Sequence, residues 1–203
     1  MKKKCFFIFL VLLSVVAVHA QQVNIGVKAD LNYFRVNGDG MSQQFNAGVS
    51  GGGYAEIKIN DKWSIQPELL YSQRNTRAKD FSKYFSASAS LSASNDAFLS
   101  YISVPVVVKY KFYQNWSISA GAQYNYLVYA DEDLLKDGKE AFKKNDIGVV
   151  AGVDYAVSKR VGFYGRFYYG LNDINNINTF HVWNAQEFKV GIAFSLVGYK
   201  QNK

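Results

Sequence analysis

The sequence predicts an all-β protein: an eight-stranded antiparallel up-and-down transmembrane β-barrel with short periplasmic turns and long extracellular loops. Three observations predict it. Apolar and polar residues alternate with period two in run after run, which gives strands with one apolar and one polar face. Connections alternate short and long along the chain, as antiparallel neighbours in an outer-membrane barrel require. The arms also reach roughly the 9–11 residues that a tilted strand needs to cross a bilayer. Only helices and closed barrels can cross lipid with every backbone group paired.

The chain opens with Met1-Lys2-Lys3-Lys4 and the apolar run from Cys5 to Val18, too short for a spanning helix. Val18-His19-Ala20 places small residues where a signal peptidase reads them. Residues 1–20 are therefore expected to be a signal peptide and 21–203 the barrel domain, exported to the cell outer membrane. Cys5 is the only cysteine and starts the apolar run, so it is no lipoprotein acylation site. The cleaved chain would have neither disulfides nor thiol chemistry.

Strand one is read from Gln22 to Val36, with Val23, Ile25, Val27, Ala29, Leu31 and Tyr33 on its apolar face. Strand two runs from Phe45 to Ile59 and strand three from Trp63 to Arg74, joined by the tight turn Asn60-Asp61-Lys62. Between Asn75 and Ala97 lies a long polar loop whose Ser86–Ser94 segment either extends the strands as a ribbon or is flexible. The clearest hairpin follows. Ile102, Val104, Val106, Val108, Tyr110 and Phe112 share one face with Trp116, Ile118, Ala120, Ala122, Tyr124 and Tyr126, around a three-residue turn Tyr113-Gln114-Asn115. The charged loop Asp131 to Asn145 contains the turn dipeptide Asp137-Gly138. Strand six (Asp146 to Val157), the turn Ser158-Lys159-Arg160, strand seven (Val161 to Leu171), an Asn-rich loop and strand eight (Asn184 to Val197) complete the set. Pro67 and Pro105 fall inside strands, where each predicts a bulge or a missing ladder bond.

Alternation alone does not say which face is inside. A soluble lipocalin-like ligand-binding barrel would be apolar within. Glycine placement argues for the opposite. Gly48, Gly52, Gly121, Gly148, Gly152, Gly162, Gly170 and Gly191 share the charged face, and a crowded lumen needs small residues where a solvated surface does not. Aromatics agree. Trp63, Tyr110, Phe112, Trp116 and Phe163 lie beside the short turns. Phe45, Tyr71, Tyr124, Tyr126 and Tyr169 lie nearer the long loops. The two groups make two membrane-interface girdles.

The inward charges are then Lys28, Asp30, Glu56, Lys58, Glu68, Arg74, Lys109, Lys111, Asp154, Arg166, Glu187 and Lys189. Both signs are similarly represented, and buried charges must be paired. The expected role is a salt-bridged plug, with Asp154–Arg166 and Glu68–Lys109 as candidate pairs. An ion path is the rival reading.

The formal charge of +7 includes three lysines of the leader. The remaining excess is scattered, with no basic stripe for nucleic acid. Catalytic signals are thin. His181 is the only histidine after the leader and has no acid and nucleophile near it in sequence. There is no phosphate loop or metal cluster, and no cofactor is expected. Asp131-Glu132-Asp133 reads as a solvated charge run.

Five motifs carry a family resemblance: Asn24–Asn32, Trp63–Gln73, Tyr101–Tyr110, Ile147–Tyr155 and Phe188–Leu196. Across residues 22–200 the chain resembles the small outer-membrane β-barrel domain ("porin") family of Gram-negative bacteria, akin to OmpX and the OmpA transmembrane domain. The resemblance implies an eight-stranded barrel and no shared catalytic residues. One departure is the polar tail after Leu196, where many such barrels end on an aromatic residue, leaving Phe194 as the candidate assembly signal. The reading is a non-enzymatic outer-membrane protein, structural or surface-interacting through its loops. Its alternatives are a narrow passive channel, an outer-membrane hydrolase and a soluble ligand-binding barrel. Expected partners are outer-membrane lipid, lipopolysaccharide and the barrel-assembly machinery, with the chain monomeric and any loop ligand unnamed.

Overall fold

A computed structural model describes residues 23–78, 96–132, 141–177 and 181–197. The leader, the Ser86–Ser94 segment, Asp137-Gly138, Asp133 and the tail after Val197 lie outside the described residues, as do the side chains of Asp131 and Glu132.

Eight strands form one closed sheet: β1 (Val23–Asn37), β2 (Asn46–Lys58), β3 (Trp63–Arg77), β4 (Asp96–Tyr113), β5 (Trp116–Glu132), β6 (Asn145–Ala156), β7 (Val161–Gly170) and β8 (Asn184–Val197). Each pairs antiparallel with the next, and β8 closes on β1. The chain reverses tightly between β2 and β3, β4 and β5, and β6 and β7. The other connections are long.

Most expected boundaries hold within a residue or two. The central hairpin is longer than its alternation suggests, because β4 and β5 stay paired out to Ala97 and Glu132. Two shifts of register explain why the pattern hides this. At one, Ser100 faces Tyr129 but Tyr101 faces Leu127. The extra residue turns both Val128 and Tyr129 outward and breaks the period of two. At the other, Tyr113 pairs with Trp116, so the turn is Gln114-Asn115 rather than three residues.

The prolines break bonds but do not bulge. The β2–β3 ladder runs from Tyr54↔Glu68 to Ile57↔Ile65 in one register, with no partners at Gln66 and Pro67. The β3–β4 ladder likewise skips from Pro67↔Val106 to Leu70↔Ser103, leaving Glu68 and Leu69 opposite Pro105 and Val104. A proline has no N–H to give, and the flanking bonds hold the register across the gap.

Polarity is inverted relative to a soluble barrel. Val190 is 64 % exposed, Leu69 61 % and Leu31 58 %, whereas Arg74 and Glu187 are fully buried. A soluble lipocalin-like barrel, apolar within, does not fit this arrangement. Every outward strand is an apolar ribbon, and water would not tolerate so large a continuous patch. No helix among the described residues is long and apolar enough to cross a membrane; the strands form the closed wall instead.

Candidate functional site

The lumen has three layers, and each follows from which residue types the inward positions carry at that height. On β1 the inward sequence is Asn24, Gly26, Lys28, Asp30 and Asn32, then Phe34 and Val36. The phase is constant while the chemistry changes from polar to charged to apolar.

The middle layer contains two charge clusters. Glu68 is the hub of the first. Its Oε1 accepts from Lys28 Nζ at 2.9 Å and from Arg166 Nη1 at 2.7 Å, and Gln66 Nε2 also donates to it. Arg166 lies 3.7 Å from Asp154, so the diagonal pair expected from the third hairpin is present. Asp154 sits opposite Tyr164, two residues along from Arg166. Lys109 lies between Asp154 at 3.4 Å and Glu56 at 3.8 Å. The expected Glu68–Lys109 pair does not form. Lys109 stands opposite Ser64, four residues from Glu68 along β3, so the barrel's stagger separates them.

The second cluster is Arg74, Glu187 and Lys189. Arg74 donates through Nε and Nη2 to the two carboxylate oxygens of Glu187, at 3.0 and 2.8 Å, and Lys189 is 3.4 Å from Glu187. A two-pronged guanidinium–carboxylate pair fixes orientation as well as charge. Arg74 also sits 4.7 Å from the Tyr101 ring centroid.

Two carboxylates are held by phenols rather than cations. Tyr164 donates to Asp30 at 2.7 Å. Tyr168 and Asn125 donate to Asp146 at 2.8 and 3.0 Å. Asp30 was expected to have a charged partner; among the described residues it has none within 4.0 Å. Asp146, not among the inward charges expected from sequence, lies at the start of β6, and its parity with Gly148 marks it as inward. Glycines make room for these rings. A Cβ on Gly148 would lie 2.6 Å from the Tyr168 ring, and one on Gly191 2.6 Å from that of Tyr164.

Above the charges, toward the long loops, is an apolar cap. Phe34, Val36, Leu99, Phe142, Ile174 and Trp183 are essentially fully buried there. Phe142 and Trp183 pack with ring centroids 5.5 Å apart. Loop backbone is drawn in by bridges between Met41 and Ala78 and between Phe142 and Asn175. Trp183 Nε1 donates to the Asp39 carbonyl, and His181 Nδ1 lies 2.9 Å from Asp39 Oδ2. The first long loop turns at Gly40, whose φ of 80° suits glycine.

The Asn-rich composition of the last loop suggests a solvated segment. Trp183 and Ile174 instead point into the barrel, and His181 is tied to Asp39. Asp173 anchors this loop. It accepts from the backbone N–H of Trp183 and Asn175 and from Lys143 Nζ. Partial burial pushes the Asp173 carboxyl up, but these donors outweigh it and hold it below the usual carboxylate range.

At the short-turn end the lumen opens as a vestibule of about 760 Å³. Lys111 was expected in the charge network. It stands exposed at this mouth and makes no ion pair among the described residues. Outside, Trp63 stacks on Tyr110 and Trp116 on Tyr155, each 4.6 Å apart, beside the short turns. Phe112 and Phe163 are exposed near them. Tyr71, Tyr124, Tyr126 and Tyr169 face outward nearer the long loops. No group of three or more possible metal ligands occurs among the described residues.

A closed eight-stranded barrel with an apolar outside and a charged inside defines an integral outer-membrane β-barrel protein. A family model described as "Outer membrane protein beta-barrel domain" matches residues 19–176, and the chain belongs to that family. No curated protein matches the chain. Among solved structures, Neisserial surface protein A is similar at 20 % identity and a TM-score of 0.55, covering 85 % of this chain and 97 % of that one. Ail, the attachment invasion locus protein of Yersinia pestis, solved with the heparin analogue sucrose octasulfate, is similar at 12 % identity and a TM-score of 0.53, covering 86 % and 99 %. At these identities the likeness is one of fold.

Proposed function

We propose that this outer-membrane barrel is closed, non-enzymatic, and serves as a rigid support presenting its long loops at the cell surface for structural or adhesive contacts. The observation that carries this reading is the filled lumen. Fully buried Arg74 and Glu187 form a two-pronged pair, with Arg74 against the rings of Phe34 and Tyr101 in the buried apolar cluster that includes Trp183 and Phe142. Ion pairs in so dry a setting hold one geometry, because separating them strands a buried charge. The loops then stand on a wall that does not move, an arrangement suited to binding.

On this reading residues 1–20 direct export, and the assembly machinery inserts the strands. The aromatic girdles, Trp63, Tyr110, Phe112, Trp116 and Phe163 below and Tyr71, Tyr124, Tyr126 and Tyr169 above, seat the barrel between phospholipid and lipopolysaccharide. The test is conductance in planar bilayers of protein whose unboiled and boiled forms migrate differently on SDS gels. Folded protein should give no large, stable single-channel steps. Such steps would replace the closed support with a channel.

A further inference from the structure

The vestibule at the short-turn end is a large recess that this barrel offers to the periplasm. Its volume, about 760 Å³, lies within the range of small-molecule sites, roughly 300–1,000 Å³. Its wall combines six cations (Lys28, Lys58, Lys109, Lys111, Lys159 and Arg160) with three carboxylates. The carboxylates deeper in are already engaged: Glu56 and Asp154 flank Lys109, and Lys28 is matched by Glu68. At the mouth the balance changes. Lys111, from β4, and Lys159 and Arg160, from the turn between β6 and β7, are all exposed and make no ion pair among the described residues. Among the described residues lining this rim, the opposing charge is Asp61. A recess in a low-dielectric wall, lined by one sign of charge, concentrates the opposite ion. The hydroxyl of Ser117, which stands opposite Lys111 on the wall, would help to orient what enters.

We propose that the vestibule binds a small anion carrying two or more negative charges on phosphate or carboxylate groups, taken up from the periplasmic side. The proposal rests on the closed-lumen reading for its dead end, since the charge clusters and the cap lie between the vestibule and the cell surface. Paired contacts from Lys and Arg to a divalent anion are the strong kind of hydrogen bond.

The experiment is calorimetric titration of the folded full-length barrel in lipid nanodiscs with inorganic pyrophosphate and, separately, with citrate. One saturable site is expected, with affinity falling as salt rises. The variant K111A/K159A/R160A should bind at least tenfold more weakly, while K62A, which removes a nearby lysine outside the recess, should bind as the parent does. All three residues are exposed, so heat-modifiable migration should be unchanged. A preference between the two probes separates a phosphate from a carboxylate ligand. No saturable binding of either probe, an unaffected triple variant, or equal weakening by K62A would overturn the site. Bilayer conductance of the same preparation is read independently. Open channels with binding intact would remove the closed reading and leave the anion site.

Discussion

The middle and the loop end of the lumen are filled by opposite chemistry. The middle carries ion pairs between strands, as in Arg74–Glu187 and the Glu68 hub. The loop end is packed by the apolar side chains of Trp183, Phe142 and Ile174, drawn largely from loops, together with Phe34 and Val36. Strand side chains are fixed by the ladder on both sides and can afford charges, because their partners are set by register. Loop backbone has no such ladder. It is held by whatever the loop buries, and apolar burial is tolerant of small shifts where an ion pair is not. The charged layer is therefore expected to specify one barrel, and the cap to open without unfolding it.

The largest expected effect breaks the charged layer. Glu187→Ala leaves Arg74 buried and unmatched, at a cost of about 3–5 kcal/mol. Urea unfolding in lipid vesicles should show a lower midpoint for the whole barrel. Replacing both partners, Arg74→Met with Glu187→Leu, should recover most of that loss. If the double variant is as unstable as the single one, the pair does more than satisfy its own charges. Trp183→Ala comes next, at about 3 kcal/mol, the low end for a large aromatic because the loops can partly close the space. Its effect should be local. Hydrogen exchange should rise at Phe142, Ile174 and Trp183 while β3 and β4 stay protected. Global loss of protection would mean the two layers are one cooperative unit.

The sequence made the wall legible and the cap illegible, for one physical reason. Strand faces announce themselves through a period of two, which is why the eight strands, their order and eleven of the twelve charges expected inward are placed correctly, Lys111 alone ending exposed at the mouth. Pairing needs register as well as parity. Asp154–Arg166 spans a single tight turn, so counting back from the turn sufficed. Glu68–Lys109 spans a long loop, and the stagger defeated the count. The cap had no periodic signal at all. Trp183 and Ile174 sit among asparagines, and their burial depends on contacts with residues far away in the chain. Phe34 and Val36 did carry a signal: they continue the inward parity of Asp30 and Asn32 and mark the height at which the lumen turns apolar.

Gly191→Val probes the crowding of the charged layer at smaller scale. The added side chain would meet the Tyr164 ring and Asp30, and overpacking of this kind costs about 1–3 kcal/mol. The same change at Gly165, which faces outward with nothing within 4 Å of the added Cβ, should leave the unfolding midpoint nearly unmoved. Equal losses at both positions would point to strand propensity rather than lumen crowding.

The smallest effect distinguishes the two layers by pH. The folded-state carboxyl of Asp173 titrates below its unfolded value of about 3.9. The unfolded loop therefore binds the proton more readily, and the stabilisation from Asp173 is complete above that value and lost as pH falls through the lower, folded one. Protection of the Trp183 amide, which donates to Asp173, should thus decline a few-fold on acidification from pH 5 to pH 3. In Asp173→Asn the cap should already be less protected at pH 7 and should change less across that window. A decline of the same size in the variant would assign the acid sensitivity elsewhere in the cap. Asp39 would then be the next carboxylate to replace, because it holds the same loop through His181.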